Sequence, residues 1–192
     1  LSNDNSGTPV PITNGATNDT TPVLTGTADA GSIVTVRDGN TVLGSVQVGG
    51  EGNWSFTTPA LSQGTHSLTT TVTSPIGNVS DASTPIVVNV DTQAPASAGG
   101  LQFTTDDGTP IATGGSTSDT TPTLSGTAEP GSTVIIPEGT TVLGSVVVGS
   151  GGTWSFTPTT PLDEGSHSLT TVVTDPAGNS SAPTSEAIVI VD

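Results

Sequence analysis

The chain has 192 residues and a formal net charge of −16, because 17 Asp and Glu residues face a single basic residue, Arg37. One arginine cannot form a basic patch, and this argues against nucleic acid and anionic membranes as partners. The absence of cysteine excludes a disulfide scaffold, a zinc–thiolate site and a thiol nucleophile.

The apolar residues are too scattered to form a membrane span or an export signal. No run of eighteen apolar residues occurs, and the first residues do not show the basic and then apolar pattern of a signal peptide. We therefore expect no insertion into a membrane, and we expect the chain to be an internal segment of a longer protein. Its length suits two ordinary domains.

The composition predicts an all-β fold. The 25 glycines and 15 prolines interrupt nearly every stretch of a dozen residues, and no apolar pattern with helical spacing persists for three turns. Val, Ile and Thr instead occur in short alternating runs, which suit half-buried strands.

Internal repetition divides the chain into two similar copies. The tetrapeptide DTTP begins at Asp19 and again at Asp119, and WSFT begins at Trp54 and again at Trp154, a period of 100 residues. We predict one domain over residues 1–91, a short proline-containing linker over 92–97 and a second domain over 98–192.

The second copy illustrates the predicted strand order. Strand A precedes Asp119, and the other strands follow at residues 123–128, 133–136, 142–148, 153–157, 166–174 and 186–191. Alternation predicts inward side chains for Leu124, Val134, Ile136, Val146, Val148, Trp154, Phe156, Leu169 and Val173. Seven short strands in this order predict an immunoglobulin-like Greek-key β-sandwich, without the cysteine pair of antibodies. We expect the two sandwiches to lie end to end.

Aromatic residues and histidines occupy matching positions in both copies and have structural interpretations. Trp54 and Phe56, like Trp154 and Phe156, alternate on one strand face, so we expect them to anchor the cores.

The two histidines, His66 and His167, stand where immunoglobulin-like folds often place a tyrosine that hydrogen-bonds back to its own loop. The chain contains no tyrosine. We therefore expect histidine to make that hydrogen bond.

Several longer motifs occur in a fixed order in this sequence. They are TSDTTPTLSGTAEPGS, GTWSFTP, LDEGSHSL and TDPAGNSS in the second copy, with a closing Val-Asp in both copies. Together they resemble the bacterial immunoglobulin-like repeats of giant secreted surface adhesins, the biofilm-associated and RTX-type proteins. The resemblance covers both copies almost end to end. It implies an extracellular stalk at the bacterial cell surface, type I secretion, neighbouring repeats as partners and calcium at the domain junctions.

Calcium suits the loop residues of this sequence, since it takes six to eight oxygen ligands. Strand order places Asp19 and Asp91 at one pole of the first domain, and Glu129 and Asp175 at the facing pole of the second. These four are the candidate calcium ligands at the junction. The alternative is that Asp residues occupy such loops because they suit tight turns. Ser74 stands where the second copy has Asp175, so we expect the first copy to bind calcium poorly at that pole.

Two classes of function remain, and neither is enzymatic. The acidic residues lie in polar loops rather than in buried pairs, and no nucleophile-elbow motif is present. We expect no small-molecule substrate and a monomeric chain. The first hypothesis is a structural spacer. The second is a ligand-binding adhesin module that recognises glycan, protein or ice. Two closely similar copies without a long insertion favour the spacer.

Overall fold

The chain folds into two compact units. The computed structural model describes residues 1–3 and 10–192, and these form domain 1 (Leu1–Gln93) and domain 2 (Ala94–Asp192). Within the described residues all regular structure is β-strand. The all-β prediction with two tandem domains is therefore confirmed. The linker predicted at 92–97 is shared between the units, and residues 94–97 belong to domain 2.

Domain 1 is a sandwich of two sheets. The strands are β1 (Ser2–Asn3), β2 (Val10–Pro11), β3 (Ala16–Thr17), β4 (Val23–Thr27), β5 (Ile33–Asp38), β6 (Thr41–Gln47), β7 (Asn53–Thr57), β8 (Gly64–Thr73) and β9 (Ile86–Val90). One sheet has the order β2-β1-β4-β7 and the other has the order β3-β9-β8-β5-β6. The pairings are antiparallel except for β3 with β9, which are parallel.

Domain 2 repeats this arrangement. The strands are β10 (Gly99–Thr104), β11 (Pro110–Ile111), β12 (Ser116–Thr117), β13 (Thr123–Thr127), β14 (Thr133–Glu138), β15 (Thr141–Val147), β16 (Thr153–Phe156), β17 (Gly165–Leu169), β18 (Val172–Thr174) and β19 (Ala187–Val191). One sheet has the order β11-β10-β13-β16, and the other has the order β12-β19-β17-β14-β15, with β18 also pairing with β14.

The prediction of a single strand A before Asp119 is wrong in detail, because three short strands, β10, β11 and β12, occupy that stretch. Strand β10 pairs with β13, and β11 folds back onto β10 in the same sheet. Strand β12 crosses to the other sheet and pairs in parallel with β19. The first segment of each domain thus borders both sheets.

The prediction of one continuous strand over 166–174 is also wrong, since the strand is interrupted after Leu169. In domain 1 the matching strand β8 is continuous, and Arg37 pairs with Thr69. Domain 2 has Pro137 in place of Arg37, and proline has no N–H to donate to the ladder. The amide of Thr170 still donates to the Pro137 carbonyl at 3.0 Å, but regular pairing resumes only at Val172.

The core of domain 2 contains the residues that alternation predicted. Val146 and Phe156 pack against this core while remaining partly exposed. The fully or nearly buried members of the predicted set are Leu124, Val134, Ile136, Val148, Trp154, Leu169 and Val173. In domain 1, Trp54 and Phe56 are partly buried against the corresponding core.

The aromatic rings lie against glycines on the neighbouring strands. Gly26 pairs with Trp54 across β4 and β7, and a Cβ atom at Gly26 would come within 2.6 Å of the indole. A Cβ atom at Gly144 would overlap the Phe156 ring. These glycines leave room for the rings, and the repeated Gly in the motifs LxGT and VLGS was the available sequence signal.

Candidate functional site

Two of the predicted calcium ligands lie at the same end of domain 1. The Asp19 amide donates to Thr17 Oγ1 at 3.0 Å, and the Asp91 amide donates to the Thr17 carbonyl at 2.9 Å. Asp19 is fully buried, and its Oδ1 accepts from the amide and hydroxyl of Thr21. That contact is an Asx turn, which opens β4.

The Asp91 carboxylate lies at the end of β9 and also has partners within domain 1. Its Oδ1 accepts from Gln63 Nε2 at 2.7 Å and from the Gln93 amide at 3.1 Å. The hydrogen bond from Gln63 comes first in lowering the pKa of Asp91, and the bond from the Gln93 amide adds to it. Asp91 is therefore a carboxylate held in its charged form.

The other two predicted ligands lie at one end of domain 2. Thr133, which begins β14, pairs with Thr174, so the loop holding Glu129 and the turn beginning at Asp175 are adjacent. Glu129 is exposed, and its carbonyl accepts from the Ser132 amide and hydroxyl. The structure thus groups the four predicted residues as one pair in each domain.

Asp175 organises the turn that follows β18. It is only 7% exposed, and its two carboxylate oxygens accept from the amide and the Nδ2 group of Asn179 at 2.9 and 2.8 Å. In domain 1 the hydroxyl of Ser74 accepts from the Asn78 amide at 3.1 Å. A serine therefore makes the same main-chain contact as the aspartate, which supports the turn interpretation of this position.

The oxygen-rich ends suit a hard cation in their chemistry but do not gather into a cage within one domain. In residues 1–3 and 10–192, no group of three or more His, Cys, Asp or Glu side chains could hold a metal ion.

An open cleft in domain 2 is lined by Asp106, Asp107 and Asp119. Asp119 caps its own turn by accepting from Thr121, and its Oδ2 accepts from the Asp106 amide. Calcium binding remains a prediction.

Each histidine makes the hydrogen bond to its own loop that the sequence led us to expect. His66 Nε2 lies 2.8 Å from the Ser62 carbonyl, and His167 Nε2 lies 2.8 Å from the Asp163 carbonyl. Both contacts reach four residues back along the chain, which ties the start of β8 or β17 to the preceding loop.

A second partner of each histidine was not foreseen. His66 Nδ1 lies 2.7 Å from Asp38 Oδ2, and His167 Nδ1 lies 2.8 Å from Glu138 Oε1. The carboxylates end β5 and β14. An acidic residue at this position in both copies was the only sequence signal for the pairing. The amide of Ser67 also donates to Asp38 Oδ1.

The carboxylate partner favours the protonated histidine. Burial lowers the pKa of His66, but the hydrogen bonds to Asp38 and Ser62 and the charge of Asp38 outweigh it, so the pKa lies above 6.5. For His167, burial is again outweighed, here by the Asp163 carbonyl and Glu138, and the pKa is raised. Burial raises the pKa of Asp38, but the bonds from His66 and Ser67 bring it below 3.8.

We expect the stability of both domains to fall as pH rises above about 6.5, the ordinary pKa of histidine. A histidine whose pKa is raised on folding stabilises the fold fully below its unfolded pKa of about 6.5, and this contribution is lost as pH rises through the folded pKa. The lowered pKa of Asp38 affects stability at acidic pH. Its contribution to the stability of domain 1 is fully present above about pH 3.8 and is lost as pH falls through the pKa of the folded state. Thermal melts at a series of pH values below and above 6.5 measure the effect of the histidines.

Matched variants measure the contributions of the His66–Asp38 pair and the His167–Glu138 pair separately. His66→Gln should destabilise domain 1 at pH 6 by about 1.5 to 3 kcal/mol, the range for a hydrogen bond to a charged group, and should reduce the fall in its stability as pH rises above about 6.5. His167→Gln should do the same to domain 2 alone. An undiminished pH dependence in the double variant would contradict this assignment.

Comparisons with known proteins address the family and the fold. No helix in the described residues is long and apolar enough to cross a membrane. A search of curated protein sequences gave no match. Among solved structures, the fibronectin(III)-like modules of CbhA from Clostridium thermocellum match with a TM-score of 0.52 and 16% identity, over 92% of this chain and 87% of theirs. At this identity the likeness shows the fold alone.

Two further structures match over less than half of their own length. The BSP domain of a biofilm-associated protein has a TM-score of 0.36 and 21% identity, over 92% of this chain and 28% of that one. A Ca²⁺-stabilised adhesin with which an Antarctic bacterium binds ice has a TM-score of 0.37 and 23% identity, over 90% of this chain and 44% of that one.

The family is shown by a sequence model rather than by these structures. The model for the bacterial Ig-like domain matches twice, over residues 2–92 and 95–192. Each match corresponds to one of the two sandwiches, and the comparisons indicate no catalytic family. The chain therefore belongs to the bacterial Ig-like domain family and contains two tandem copies of that domain.

Proposed function

We propose that this chain is a spacer segment of a bacterial surface adhesin, located outside the cell, which holds an adhesive region away from the cell surface. In this proposal the neighbouring repeats of the same chain are its partners. The function of the segment is then its length and its stiffness, and secretion by a type I system belongs to the same proposal.

The observation that supports the spacer is the repetition of one family domain with matching sheets and matching cores. The connection from β8 to β9 (74–85) has the same length as that from β18 to β19 (175–186). A recognition domain more often carries its specificity in an irregular, enlarged loop. The two domains instead differ mainly by single substitutions, as expected for units whose function is additive.

Surface display tests the spacer role. One, two and four copies of residues 1–192 are displayed on bacteria beneath a terminal tag, and the height of the tag is measured. Equal increments per copy, without binding of the purified chain to glycan arrays or ice, are the expected result. Specific binding by the purified chain would overturn the spacer in favour of a recognition module.

We further propose that calcium stiffens the array by binding the acidic ends of the domains. The predicted ligands are Asp19 and Asp91 in the first domain and Glu129 and Asp175 in the second. With a net charge of −16 and one basic side chain, the chain has almost no internal cations, so a divalent ion would relieve repulsion between its carboxylates. Extracellular calcium is millimolar, and dissociation constants of about 10⁻⁴ to 10⁻³ M are sufficient.

Titration calorimetry and residual dipolar couplings test the calcium proposal. Calcium should bind with an affinity in this range and should narrow the angular spread between the domains relative to a chelated sample. Asp175→Ser, which copies Ser74 of domain 1, should weaken binding without lowering the melting temperature of domain 2 by more than a few degrees. If the angular spread between the domains is the same with calcium and with chelator, the calcium proposal is wrong and the acidic residues serve only to form turns.

A further inference from the structure

The side chain of Gln63 lies where the last strand of domain 1 runs into the linker. Gly64 pairs with Val90 at the end of the β8–β9 ladder. Because these strands are antiparallel, residue 63 lies opposite residue 91. On the other flank, the Asp91 amide donates to the Thr17 carbonyl at 2.9 Å. The sheet therefore sets the position of Gln63, although its side chain is exposed.

Gln63 uses both ends of its side-chain amide at this place. Its Nε2 donates to Asp91 Oδ1 at 2.7 Å. Its Oε1 accepts from the amide and from the hydroxyl of Thr92, each at 3.0 Å. The Gln93 amide donates to the same Asp91 oxygen at 3.1 Å. Three successive residues beyond the ladder are thus tied to Gln63, either directly or through the Asp91 carboxylate.

The linker beyond Gln93 is restricted by a proline. Ala94 precedes Pro95, and a residue before proline is pushed toward an extended backbone. The ring of Pro95 fixes its own φ, and this residue is buried. Between the ladder and the proline, Thr92 and Gln93 are therefore the residues with the most backbone freedom to lose. They are also the two residues whose amides bond to Gln63 and Asp91.

The second copy has a different residue at the matching position. Glu164 stands where the first copy has Gln63, and Asp192 stands where it has Asp91. An ionised carboxylate has no proton to donate, so Glu164 cannot make the bond that Gln63 makes to a carboxylate. Domain 2 nevertheless forms the same ladder, with Gly165 paired to Val191. The fold of the domain therefore does not require glutamine at this position.

We propose that Gln63 is a positioning residue that fixes the direction in which the chain leaves domain 1, and that it does so without a metal ion. Its N–H group holds the Asp91 carboxylate, and its carbonyl oxygen holds the Thr92 amide. The first residues of the linker then continue β9 as a rigid extension. The use of this contact to stiffen an array rests on the spacer role proposed above, but the contact itself does not.

The test measures backbone order in the full 192-residue chain with a chelator present. We expect the ¹⁵N order parameters of Thr92 and Gln93 to lie near 0.85, about the value of a rigid backbone. Gln63→Glu, which copies Glu164, should lower them below about 0.6, the range of a flexible segment. It should also speed hydrogen exchange of the Thr92 amide by roughly tenfold. The melting temperature of domain 1 should change by no more than a few degrees, whereas a purely structural role would lower it and leave the linker ordered.

Two further variants separate the lost donor from the added charge. Gln47→Glu adds the same charge at an exposed position of β6, so it should leave the order of Thr92 and Gln93 unchanged. The double variant Gln63→Glu/Asp91→Asn moves the N–H donor from residue 63 to residue 91, so it should restore the order parameters.

Three results would overturn the proposal: low order parameters of Thr92 and Gln93 in the unaltered chain, no loss of order in Gln63→Glu beyond that in Gln47→Glu, or no recovery in the double variant. Because a chelator is present throughout, the outcome does not depend on calcium. The display experiment on the spacer role is likewise separate, since it measures height and binding rather than the order of the linker.

Discussion

Replacing Trp154 by alanine should lower the free energy of unfolding of domain 2 by about 3 to 5 kcal/mol, the range for truncating a large buried aromatic side chain. The indole is 5% exposed and packs in the core with Leu124 and Leu169. Its removal takes away apolar burial and leaves a cavity that the two sheets cannot close. Calorimetry of the full chain should resolve this as a large downward shift of one transition.

The control for this substitution is a valine on the surface of the same domain. Val147 is 67% exposed, so Val147→Ala should change stability by no more than about 0.5 kcal/mol. Domain 1 has its own core around Leu24, Val36, Leu68 and Val88, and its transition should stay in place in both variants. A Trp154→Ala variant that lowers both transitions equally would show that the domains do not unfold as separate units.

Adding a single methyl group at Gly144 should destabilise domain 2 by about 1 to 3 kcal/mol, the usual cost of overpacking a core. The new Cβ would overlap the ring of Phe156, which is packed against the core and cannot move without displacing its neighbours. Urea denaturation of Gly144→Ala measures the loss.

Two further variants isolate the steric cause. Gly151 has open space around it and no positive φ, so Gly151→Ala should be nearly neutral and controls for the general effect of replacing glycine. Phe156→Leu removes the overlapping ring edge, and the double variant Gly144→Ala/Phe156→Leu should be more stable than the sum of the two single effects predicts. If the stability changes of the two single variants simply add in the double variant, the ring of Phe156 is not the cause of the steric cost at Gly144.

The sequence by itself determined the class of fold, the repeat and most of the core. These features depend on local information. Trp154 and Phe156 alternate with polar residues, so their common face follows from the geometry of a single strand. The same reasoning placed Leu124 and Val134 in the core. The loop contacts of His66 and His167 were also foreseeable, because each carbonyl partner lies only four residues away.

Features that depend on which strands meet were decided by the tertiary structure alone. Asp38 becomes the partner of His66 only because β5 pairs with β8 in a register that sets Asp38 opposite Leu68. The break after Leu169 follows from Pro137, which removes an N–H from a ladder formed with a strand more than thirty residues later in the chain. Each outcome depends on the pairing and register of strands distant in the chain, which local alternation does not specify.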